Sequence, residues 1–146
     1  MPSQEWLLEL PPGMIGRAVD PAPDSPYASM WLARGWLNDT APATVVVTTR
    51  PRKGVTLRSE ARRLSAALEG GASDGEEIAV TGARGARRFD GLVDLGEGVS
   101  ADGIDRLALV VAAGRTELVM LSIRTRPADE AAAEVEAAIR SFTLRR

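Results

Sequence analysis

The clearest pattern in the chain is a pair of apolar runs broken by a polar turn. Arg106 to Ala113 and Glu117 to Arg124 are rich in Leu, Val and Ile, and Ala113-Gly114-Arg115-Thr116 lies between them. Two such runs joined by a short glycine-bearing turn predict an antiparallel hairpin. On the second run Val119, Leu121 and Ile123 share one face, and Leu118, Met120 and Ser122 the other. Upstream, Met30 to Leu37 is apolar on both sides apart from Arg34, which predicts a buried strand. Ala43 to Thr49 is a strand by its Val and Thr content. Glu5 to Leu10, Glu77 to Thr81 and Arg87 to Leu95 are shorter strand candidates. Arg17 to Tyr27 carries Pro21, Pro23 and Pro26 and reads as a connector.

Two segments change period. Leu57, Ala61, Leu64 and Leu68 form one helical stripe, with Thr56 as N-cap and Gly70-Gly71 as the stop. Ala131, Val135, Ala138, Ile139 and Phe142 form a second stripe after Pro127. Asp129 and Glu130 suit the positive end of that helix, and Arg140, Arg145 and Arg146 the negative end. The predicted helices therefore cover residues 56–68 and 129–141. Strands joined by short turns pair antiparallel. The expected fold class is α+β: one antiparallel β-sheet with both amphipathic helices packed on one face, as a single domain over residues 1–146.

Composition narrows the chemistry. Cysteine and histidine are both absent, so disulfides, thiolate chemistry and the commonest general base are excluded. Without those ligands no tight transition-metal site is expected, and no cofactor. No apolar run approaches the roughly 20 residues of a membrane span. Residues 1–6 have no basic or apolar signal pattern, so the expected location is cytoplasmic. Net charge is −2, and the cations are 17 Arg and one Lys, so arginine is simply the default cation.

The last forty residues carry a resemblance. The strand–turn–strand from Arg106 to Thr125 runs into Pro127 to Glu130 and a helix that ends Ile139-Arg-Ser141-Phe142. An earlier helix after a Val-rich strand fits the same order. This resembles the PsbP-like fold, which a photosystem II extrinsic subunit, a Ran-binding nuclear import factor and the LpqN-type lipoproteins of high-GC bacteria share. The resemblance covers about two-thirds of the chain and rests on order and pattern. It implies a binding or adaptor protein and no catalytic residues. The chain departs from the lipoproteins in lacking a signal and an anchoring cysteine.

Several constellations invite a functional reading. Gly82-Ala-Arg-Gly85-Ala-Arg-Arg88 has the residues of a phosphate cradle, but it precedes a strand and reads as a turn. Arg50, Arg52, Lys53, Arg58, Arg62 and Arg63 face only Glu60, yet no stacking aromatics accompany them, so nucleic acid is not an expected partner. Asp90, Asp94, Glu97, Asp102 and Asp105 crowd a glycine-rich loop without calcium-loop spacing. A carboxylate pair is possible on paper, but the adjacent Glu76 and Glu77 point to opposite faces of a strand. Trp31 and Trp36, with Met30, stand out in a chain that is 4% aromatic. They are the candidate protein-binding residues, and core packing is their other reading. The expectation is a non-catalytic protein-binding or adaptor module linked to secretion or the envelope. Its partner is another protein or a second copy of this chain. The alternative is a small-molecule carrier with a cleft between sheet and helices, and an unusual carboxylate enzyme is a third option.

Overall fold

The computed structural model describes residues 4–94, 96 and 99–145. Leu95, Glu97 and Arg146 lie outside the described residues. The apolar runs pair as one sheet because each leaves backbone groups that only a neighbouring strand can satisfy. Strands β2 (Met14–Val19), β3 (Ser29–Asn38), β4 (Ala41–Pro51), β5 (Glu76–Ile78), β6 (Gly85–Asp94), β7 (Ile104–Ala113) and β8 (Glu117–Thr125) lie in the order β2-β3-β4-β8-β7-β6-β5. Every ladder is antiparallel. The predicted hairpin is present, with Ala113 opposite Leu118 and Arg106 opposite Thr125. A separate two-stranded ribbon joins β1 (Trp6–Leu7) to β9 (Thr143–Leu144) at the chain ends.

The fold class is α+β as expected, but the helices do not share a face. Helix α1 (Leu57–Ser65) packs Ala61 into a cluster with Leu107, Leu109 and Val111 of β7. Helix α2 (Ala132–Ser141) packs Ala138 and Ile139, and the adjoining Phe142, into a second cluster with Ala108, Val110 and Ala112. Successive residues of a strand point to opposite faces, so the two helices flank β7 from opposite sides. The reason lies in β7 itself. Its run is apolar at consecutive positions, and both Val110 and Val111 are fully buried. A strand of that kind needs an apolar layer on each side.

Helix ends differ from the expected bounds for local reasons. Thr56 caps α1 as predicted: its hydroxyl accepts the Ser59 amide, and the Ser59 hydroxyl accepts the Thr56 amide. The helix stops at Ser65 and not at Leu68. The Ser65 hydroxyl accepts the Ser73 amide, and Leu68 leaves the helix to bridge Val93. Helix α2 begins at Ala132, because the Asp129 carboxylate is held by Arg126 at 2.8 Å and does not serve the helix end. The segment read as a connector from Arg17 begins with the last three residues of β2, an edge strand.

Two buried carboxylates fix the layers. Glu60 receives Arg50 from β4 at 3.2 Å and Arg63 from its own helix at 2.7 Å, which ties α1 to the sheet. Asp105 on β7 is fully buried. It accepts the amides of Val99 and Ser100 at 3.0 and 2.8 Å and pairs with Arg124 on β8. Burial alone would push its carboxyl up. The two amides and the Arg124 charge outweigh burial and hold it below the ordinary carboxylate range.

Two predictions follow from this packing. Phe142 is 1% exposed and closes the core under α2, so Phe142→Ala should cost about 3–5 kcal/mol in denaturant unfolding. The Asp105 carboxyl is depressed in the folded chain, so its contribution is complete above the unfolded value of about 4 and fades as pH falls further. Asp105→Asn should lower stability at neutral pH by about 3 kcal/mol, the scale for breaking a buried pair, and flatten the loss of stability between neutral and acid pH. Paired unfolding curves at both pH values check this.

Candidate functional site

The sheet is covered unequally. On the α2 side, the N-terminal segment runs beside the helix. The Glu9 amide donates to the Ser141 hydroxyl at 2.9 Å, and Trp6, Leu8 and Leu10 pack on the core there. On the α1 side the helix stands over β6 and β7. The half of that face formed by β2, β3 and β4 carries no helix.

Register sorts the side chains of this half. Arg17 lies opposite Leu32 and Val46, Ile15 opposite Arg34 and Thr44, and Val19 opposite Met30 and Thr48. Trp36 follows on the same face, opposite Pro42. Ile15 is 81% exposed and Trp36 50% exposed. Leu32, Met30 and Val46 are half-buried beside them. Arg17 and Arg34 are exposed, and neither makes an ion pair with any described residue. Strands β2, β3 and β4 contain no acidic residue.

The three residues singled out by sequence do not form one surface. Met30 and Trp36 lie on this open half. Trp31 points to the other side, where its ring sits edge-on to Trp6 at a centroid distance of 5.4 Å. Trp31 also lies across β2: a Cβ on Gly16 would come within 1.9 Å of the ring. It seals the N-terminal segment to the sheet and is a packing residue. Ile15, Arg17 and Arg34 carry no mark in the sequence: Ile15 falls in no predicted element, Arg17 opens the predicted connector, and Arg34 is the one polar residue of an apolar strand. The ladder places Met14, Gly16 and Ala18 on the Trp31 side of β2 and Ile15, Arg17 and Val19 on the open side.

The other constellations are absorbed by the fold. Around Gly82 the Ala83 amide donates to Val80 and the Arg84 amide to Ala113, and the Leu144 carbonyl lies where a Gly82 Cβ would be. In the basic stretch Arg50 and Arg63 hold Glu60, while Arg58 and Arg62 hold Asp74. Asp94 and Asp102 accept amides of their own loops, and Asp90 is held by Arg88. Among the described residues no three carboxylates gather as a metal group.

A cleft of about 120 Å³ lies between α2 and strands β6, β7 and β8. Arg88 closes one side by bonding both Glu136 and Asp90. Its hydrogen bonds hold the Glu136 carboxyl below the usual range despite partial burial. No helix of the described residues is long and apolar enough to cross a membrane.

The site's geometry separates packing from surface by mutation. Gly16→Val should destabilise strongly, by about 2–3 kcal/mol, since overpacking against Trp31 must displace the ring. Ile15→Ala should stay within about 0.5 kcal/mol of wild type, as exposed substitutions do. Thermal melts of the two variants check the contrast.

The chain matches no protein-family model and no curated protein. Among solved structures it is similar to LpqN, involved in cell envelope biogenesis of Mycobacterium tuberculosis, at 14% identity and a TM-score of 0.55, over 99% of this chain and 85% of that one. It is also similar to a structure from Bacteroides thetaiotaomicron VPI-5482, at 9% identity and a TM-score of 0.53, over 97% of this chain. It spans only 45% of that second protein. At such identities the likeness concerns the fold, and the fold of this chain is LpqN-like.

Proposed function

We propose that this chain is a non-catalytic protein-binding module, working without a cofactor, in a process connected with the cell envelope. The observation that carries the proposal is the open half of the sheet, where Ile15 and Trp36 stand exposed beside Arg17 and Arg34. Large exposed aromatic and aliphatic side chains next to arginine are the composition of a binding hot spot. The envelope connection comes from the LpqN likeness and is a proposal for this chain. So is the wider PsbP-like grouping, whose members are mostly binding proteins. The proposed location is the cytoplasm, which fractionation of host cells checks.

The alternatives draw less support. A carrier would use the cleft under α2, but about 120 Å³ is small against the roughly 300–1,000 Å³ of ordinary ligand pockets. A carboxylate enzyme would want a carboxyl raised toward neutrality. Glu136, which lines the cleft, is pulled down by Arg88.

Affinity capture from host cells with wild type and with an Ile15→Asp, Trp36→Ala double variant tests the proposal. A protein retained by wild type should be lost, by about tenfold or more, from the variant, since central hot-spot truncations cost about 2 kcal/mol. Equal retention by both would place binding elsewhere.

A further inference from the structure

Which partner would this face accept? Building on the protein-binding reading above, we infer that its occupant is an acidic amphipathic helix of a partner protein, laid on β2, β3 and β4 beside α1.

Three observations lead there. The first is charge. Arg17 and Arg34 are diagonal neighbours across the β2–β3 ladder, because Arg17 lies opposite Leu32 and Arg34 is two residues further on. Diagonal neighbours sit about 7–8 Å apart. Like charges at that spacing repel modestly, and no acidic residue of β2, β3 or β4 compensates them. A carboxylate supplied from outside converts the repulsion into two attractions, and arginine offers the planar fork that carboxylates fit.

The second is the apolar lattice around the arginines. Ile15, Leu32, Val46 and Trp36 alternate with them on the same face. An occupant must therefore present apolar side chains in its centre and carboxylates on its flank. That is an amphipathic segment with an acidic border.

The third is shape. Helix α1 stands on this same face over β6 and β7, and it rises about 10 Å, one helix diameter. The strands outside it, β2, β3, β4 and β8, span about 14 Å at the usual strand spacing. The open half is thus a step, one helix wide, with α1 as its wall. A second helix alongside α1 completes the layer. A flat bilayer would meet α1 before it met Leu32 or Val46. A second copy docked face to face would set Arg17 and Arg34 against their own equivalents.

The test replaces Ile15 with a photo-activatable cross-linking residue in the full chain, expressed in its host. The cross-linked peptide is mapped by mass spectrometry. Two further versions carry Arg17→Glu with Arg34→Glu, or Arg17→Lys with Arg34→Lys. Thermal melts check that all three fold, since both arginines are exposed. The inference expects a cross-linked peptide of another protein with helical apolar periodicity and flanking Asp or Glu. Its yield should fall by about tenfold or more on charge reversal, the scale of a like-charge clash, and be largely kept by the lysine version. A protein cross-link indifferent to charge reversal overturns the acidic helix and leaves the protein-binding reading standing. A cross-link to a second copy of this chain also overturns the acidic helix. If the chain cross-links to no protein but binds phosphatidylglycerol vesicles through this face, both readings fall.

Discussion

Everything in this molecule depends on β7 being buried on both sides. Consecutive residues Leu107 to Ala113 feed two separate apolar clusters, one under each helix. Neither helix can be moved to the other face without exposing half of that strand. At about 1.5–3 kcal/mol per buried Leu or Val side chain, exposing Leu107, Leu109 and Val111 would cost about 5–9 kcal/mol, comparable to the roughly 5–15 kcal/mol that a domain has in hand. The central strand thus dictates a three-layer arrangement over the β6–β7–β8 part of the sheet. The chain has only two helices to supply it.

The consequence is an imbalance that the rest of the sheet inherits. On the α2 side the N-terminal segment extends the cover outward, held by Trp31 against Trp6 and by Ser141 against Glu9. On the α1 side no helix among the described residues extends it, and only Tyr27 of the β2–β3 loop reaches Arg63 of α1. Glu60 fastens α1 to the end of β4 through Arg50. A buried carboxylate with two arginines is an expensive clamp in solvation terms, and its use here is positional: it fixes where the covered part of the face ends.

What could be read from the sequence follows the strength of local signals. The β7–β8 hairpin, the Thr56 cap and the antiparallel α+β order were legible, because periodicity and turn chemistry state them within twenty residues. The two-sided burial of β7 was also written in the chain, as an unbroken apolar run where alternation would mark a one-sided strand. The hairpin pattern marks it as a strand and does not say which helix covers which face. Strand β2 was obscured by its own packing. Gly16 is small because the Trp31 ring occupies its space, and a glycine among prolines looks like a loop until that ring is placed. The sidedness of Trp31 and Trp36 depends on register with β2 and β4, which no local pattern supplies. Of the residues on the open half, Met30 and Trp36 stand out in the sequence, Trp31 packs partly buried on the other side, and Ile15 and the two arginines need the ladder.

The same reasoning bears on how far likeness of fold can carry function. At 14% identity, what this chain and LpqN share is the fold. The open half of the α1 face is outside the β7 constraint, since no core residue depends on it. Ile15 at 81% exposure gains almost nothing from staying apolar in the isolated chain. Function on a common fold resides in such unconstrained positions. An exposed apolar strip interleaved with arginines is neutral for the core, which is why the binding proposal rests on it.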